Sequence, residues 1–124
     1  MLDVERPRLP IPLNNYWHLI QNKKSPYYDI ILHIIHDMEH HHQKAGGSEV
    51  IYAINPRLLQ DQIEEKIENE KLTTVNVCRT ILAFLHGSKL RKEDDFYITT
   101  TSRGRKNYHI KVNNLTLNLL HRLV

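Results

Sequence analysis

Between Thr74 and Val112 the apolar residues change their period, and that change points the chain to a mixed fold. Up to Gly87 they recur at helical spacing. Phe96 to Thr101 and Lys106 to Val112 then alternate every second residue and are rich in β-branched and aromatic side chains. The polar tip between these two runs contains Gly104, which can take a positive φ, so the pair reads as a β-hairpin. An α+β fold is expected.

Two earlier helices declare themselves by their starts. Ser25-Pro26 sets a capping hydroxyl before a proline whose missing N–H costs nothing in a first turn. Tyr27, Tyr28, Ile30, Ile31, Ile34, Ile35 and Met38 then share one face, and Gly46-Gly47 ends the helix. Ser48 to Ile54 reads as a short strand. Asn55-Pro56 repeats the start signal for a helix to about Asn69 on which Leu59, Ile63 and Ile67 line up, while its other faces carry Asp61, Glu64, Glu65, Glu68 and Glu70. Thr73 or Thr74 caps the next helix, with Gly87 as its stop. Leu115, Leu117, Leu119, Leu120 and Leu123 close the chain in a pattern that suits a short helix capped by Asn113 or Asn114 and suits a strand almost as well; the helix is preferred. Residues 1–24 contain Pro7, Pro10 and Pro12 and are expected to form an extended arm, not a helix, with Tyr16, Trp17, Leu19 and Ile20 pinning its end to the body.

The 124 residues suffice for one core and not for two. No apolar run approaches the roughly 20 residues of a membrane span, and the N-terminus lacks the pattern of a secretory signal. Cys78 is the only cysteine, so an internal disulfide framework and a multi-cysteine zinc knuckle are both excluded. A cytoplasmic protein is expected. The net charge of +3 conceals a segregation: residues 71–124 carry +7 and residues 25–70 carry −6.

The basic half has a particular layout. With Val75 as origin and about 100° per residue, Val77, Cys78, Ile81, Leu82, Phe84 and Leu85 cluster around 260°, which leaves Asn76, Arg79, Thr80, Ala83 and His86 between about 20° and about 140° as an outward face. No acid occurs from Thr73 to Lys92, unlike an ordinary solvated face. Arg can bind guanine with two bonds, Asn can do the same for adenine, and Thr or Ala can meet a thymine methyl. Lys89, Arg91 and Lys92 follow, and Arg103, Arg105 and Lys106 crown the hairpin, so six cations within 18 residues are available to phosphates. Glu93, Asp94 and Asp95 interrupt the run and are expected to point away or to form a turn.

The order helix, strand, helix, short turn, helix, hairpin, terminal helix resembles the winged helix-turn-helix domains, over roughly Ser25 to Val112. The resemblance implies a recognition helix from Thr74 to His86 and a wing from Phe96 to Val112. It divides the chain into a proline-bearing arm (1–24), the winged domain (25–112) and a leucine-rich terminal helix (113–124). The turn departs from the family: Glu68, Glu70 and Lys71 precede the recognition helix, with no small residue at the bend. The expectation is sequence-specific binding of double-stranded DNA by a transcriptional regulator. Thr74, Asn76, Arg79, Thr80, Ala83 and His86 would face the groove, and Lys89, Arg91, Lys92, Arg103, Arg105 and Lys106 the backbone. A homodimer on paired half-sites is expected as well, with no enzyme activity, cofactor, metal or membrane partner.

Two rivals stand beside this. A winged helix can serve as a protein-interaction adaptor, and the acidic second helix favours that use. His36-Asp37-Met38-Glu39-His40 also matches H-x-x-E-H, an inverted zinc-peptidase pattern. However, His33, His36 and His40 form a stripe opposite the apolar face, where a catalytic zinc would lack its buried surroundings and third ligand. The stripe reads as a polar face whose charge responds to acid.

Overall fold

The computed structural model describes residues 11–64 and 73–121. The elements run α1 (Ile11–Gln21), α2 (Pro26–Lys44), β1 (Val50–Ile54), α3 (Pro56–Glu64), α4 (Thr74–Gly87), β2 (Phe96–Thr100), β3 (Lys106–Val112) and α5 (Asn114–Leu120). The mixed architecture, the hairpin and the terminal helix agree with expectation. The end of the acidic helix beyond Glu64, and the turn at Glu68, Glu70 and Lys71, lie outside the described residues.

Local chemistry explains each start. The Ser25 hydroxyl accepts the Tyr27 N–H at 3.2 Å, Asn55 Oδ1 accepts those of Arg57 and Leu58, and Thr73 Oγ1 accepts that of Asn76. Asn113 and Thr116 cap α5 reciprocally, each side chain bonding the other's backbone N–H at 2.9 Å. This double cap settles the helix-or-strand choice for the terminal leucines. The stops are equally local. After α2, Gly46 takes φ +70, Gly47 N–H returns to His42 and Gly46 N–H to Gln43. After α4 the same pair of bonds joins Leu90 to Leu85 and Lys89 to His86. Here the left-handed residue is Lys89 at φ 65, one of two positive-φ residues other than glycine among those described. Gly87 is therefore the last residue of α4, but not because of a positive φ; its role is steric.

The expected extended arm is corrected. Residues 11–21 are helical: Pro12 occupies the first turn, where a proline removes no intrahelical bond. Pro7 and Pro10 lie outside the described residues. Of the four anchors foreseen, Trp17 and Ile20 are buried, Tyr16 is half-buried and Leu19 is exposed. α1 lies against α4 and α2.

The sheet is antiparallel in the order β1-β3-β2. Val50 pairs with Val112 and Ile54 with Tyr108, while Phe96 faces Ile110 across the hairpin. Alternation puts Tyr52, Ile54, Phe96, Tyr108, Ile110 and Val112 on one face, where they meet Ile30, Ile31, Ile34, Ile35 and Met38 of α2 and Val77, Ile81, Phe84 and Leu85 of α4 in one core. No described helix is long and apolar enough to cross a membrane.

Candidate functional site

Helix α4 contains more apolar residues than one side can hold, and the fold buries it on two. Val77, Ile81, Phe84 and Leu85 enter the core, as expected. Thr80 and Ala83 are also fully buried, because α1 packs on the flank that carries the small residues Thr80, Ala83 and Gly87. The Trp17 ring lies directly over Gly87, in space that a Cβ there would need. Thr80 turns its hydroxyl back to the Asn76 carbonyl at 2.7 Å. The outward face expected from periodicity is thus corrected. The open face is centred near Val75, rotated by about 80° from the expected position at 100° per residue. Small residues invite the closest helix, and α1, which proline content disguises as an arm, is that helix.

The twelve expected contact residues divide accordingly. Thr74, Arg79, Lys89, Arg91, Lys92, Arg103, Arg105 and Lys106 are exposed, Asn76 and His86 are half-buried, and Thr80 and Ala83 are sealed. Asn76 Oδ1 accepts the Tyr16 hydroxyl proton at 2.8 Å, so its amide oxygen is engaged by α1. The His86 ring stands edge-on to Phe96, 5.5 Å between centres. Burial, and after it the positive charge of Lys92, hold the His86 imidazole below its ordinary pKa of 6.5. Arg91 lies 3.8 Å from Asp94 and 4.0 Å from Asp95. Residues 93–95 form a turn, one of the two expected outcomes, and within it Asp94 and Asp95 fold back onto Arg91.

Four of the expected residues converge. Thr74, Arg79, Arg105 and Lys106 line an open cleft of about 500 Å³ between the start of α3, the outer face of α4 and the hairpin tip. The tip is held by Thr101, whose N–H donates to Arg105 and whose carbonyl accepts from Gly104 at φ +79. Sequence reasoning missed the rest of this cleft. Arg57 joins from the first turn of α3, where Asn55-Pro56 was read only as a start signal. The floor is Val75, Cys78, Leu82 and Tyr108. Cys78 and Leu82, expected in the core, are half-buried at its edge, and Val75 is 57% exposed. The Tyr108 hydroxyl is buried with no hydrogen-bond partner among the described residues. Burial, then the neighbouring Cys78 thiol, push its ionisation well above the ordinary phenol range. Among the described residues no carboxylate lines the cleft.

Comparison with protein families, with curated proteins and with solved structures finds no match to this chain. The chemistry of the cleft therefore has to be judged from its own residues.

The histidines lie elsewhere. On α2, His36 and His40 are exposed and His33 is half-buried. Glu39, the acid of the H-x-x-E-H pattern, points to His121, which follows α5, at 3.0 Å. Asp37 accepts the Tyr52 hydroxyl proton at 2.6 Å, with His41 3.9 Å from the same carboxylate oxygen. Among the described residues no three His, Cys, Asp or Glu side chains gather as a metal site would require.

Proposed function

We propose that the protein is a winged helix-turn-helix protein that binds double-stranded DNA, as a homodimeric transcriptional regulator, through the open face of α4 and the hairpin. The observation that carries this is the convergence of Arg57, Arg79, Arg105 and Lys106 from three elements on one cleft that no carboxylate among the described residues lines. The element order and the β1-β3-β2 sheet support it, since together they set a helix beside a basic hairpin at one end of the molecule. The contact set differs from the expected one. Thr74, Val75 and Arg79 are offered to the major groove, while Thr80 and Ala83 brace α4 against α1. Arg103, Arg105, Lys106, Lys89 and Lys92 are exposed to phosphates. Two copies on paired half-sites would give the specificity that one small module lacks.

Gel-shift titration on random and candidate duplexes at several salt concentrations tests this. Affinity should fall with salt, by about 0.9 in log–log slope for each phosphate contact. Arg105→Ala and Lys106→Ala should flatten the slope on every sequence. Arg79→Ala should cost about 1–3 kcal/mol on the preferred site and little on random DNA. Failure to bind at low salt, or indifference to salt, would overturn the proposal. The apolar exposure of Val75 and Leu58 would then favour a protein-docking adaptor.

A further inference from the structure

The cleft has two chemical characters at once, and apart from Val75 the nucleic-acid surface uses only one of them. Cations occupy its walls, but its floor is apolar: Val75, Leu82 and Tyr108, with the Cys78 thiol between them. A phosphodiester resting on the walls leaves that floor uncovered. We propose that the cleft is a binding site for a small amphipathic organic anion, an arene or branched-alkyl carboxylate whose body covers Val75 and Leu82 and whose charged group meets the arginines.

Size, charge and rigidity support this occupant. A volume of about 500 Å³ falls within the roughly 300–1,000 Å³ of small-molecule sites, which pair apolar walls with a few placed polar groups. Among the described residues Arg79, Arg105 and Lys106 make no ion pair that would compete with an anion. Arg57 approaches Asp61 at 3.8 Å with both side chains more than half exposed, a pairing too weak to withhold it. Arginine's planar fork matches a carboxylate with two parallel bonds. The walls are preformed: α3 is held by its Asn55 cap, Thr74 bonds across to Gln60, and the hairpin tip is closed by Thr101. Inorganic phosphate would satisfy only the walls, and a neutral hydrocarbon only the floor.

The site requires nothing of the nucleic-acid proposal. Where both hold, they compete for Arg79, Arg105 and Lys106, so an occupied cleft excludes DNA. The test is therefore made without DNA, and a negative gel shift leaves it intact.

The measurement is a methyl NMR titration of the full chain with 2-naphthoate, with 2-naphthylmethanol and inorganic phosphate as comparators. Naphthoate should shift the Val75 and Leu82 methyls saturably. The neutral alcohol should bind at least about tenfold more weakly, as expected when a charge-assisted carboxylate contact is lost. Phosphate should leave those methyls in place. Arg79→Gln and Arg105→Gln, both at exposed positions that do not threaten folding, should reduce naphthoate to the affinity of the alcohol. Leu82→Trp should block both ligands by filling the floor. Any of three results overturns the proposal: unmoved methyls at millimolar naphthoate, equal affinity for acid and alcohol, or undiminished binding in both arginine variants.

Discussion

Asn76 and Arg79 stand nearly one turn apart on α4, and the fold gives them different tasks. Asn76 is half-buried and accepts a hydrogen bond from Tyr16, whereas Arg79 is exposed at the cleft and makes no ion pair among the described residues. Replacing Asn76 by alanine removes that bond, which should lower stability by about 1 kcal/mol. Arg79→Ala should stay within roughly 0.5 kcal/mol of the wild type. Urea denaturation of the two variants checks this, and equal losses would contradict the placement of α1. From sequence alone the two residues look alike, because both are polar and both fall on the side that periodicity leaves outward. What separates them is Tyr16, 60 positions before Asn76, and no local pattern carries that information. Caps are the opposite case. Ser25, Asn55, Thr73 and Asn113 bond to N–H groups two or three residues ahead, so the helix starts could be read directly.

For the elements, legibility followed the range of the cause. The hairpin and helices α2 to α5 were legible because period and capping are properties of a few neighbouring residues. Helix α1 was not, since prolines commonly break helices whereas Pro12 sits in the one turn that tolerates it. That single difference also moved the expected face of α4, for without α1 nothing covers Thr80 and Ala83. The composition of α4 held a warning: a helix apolar around most of its circumference must be buried on more than one side. Gly87 is the residue that permits the second contact. Gly87→Ala would drive a methyl into the Trp17 ring, and the cost should be about 1–3 kcal/mol, as for other overpacked sites. The tryptophan emission should also shift to the red as α1 lifts. A variant as stable as wild type with unchanged emission would show that α1 does not depend on this contact.

Across the whole molecule, one titration bears on the stability of the fold. Burial and Lys92 disfavour the charged form of His86 in the folded chain, whereas the unfolded chain takes up the proton at the ordinary value of 6.5. The contribution is therefore complete above that value and is lost as pH falls from it through the lower folded pKa. Comparing melting temperatures at about pH 7.5 and about pH 5.5, His86→Gln should lose less than wild type, the other histidines being common to both. Parallel losses would exclude His86 as a source of acid sensitivity. The sheet has a different consequence, one of timing. β3 is the central strand and the last to be made, and β1 has no partner until it arrives, since Val50 pairs with Val112. α1 likewise waits for α4. On the ribosome, Ile30, Ile31, Ile34 and Ile35 must be held without their sheet until β3 has emerged. Closing loops of that length makes folding late and all-or-none, and leaves the nascent isoleucine face to be shielded by whatever first meets it.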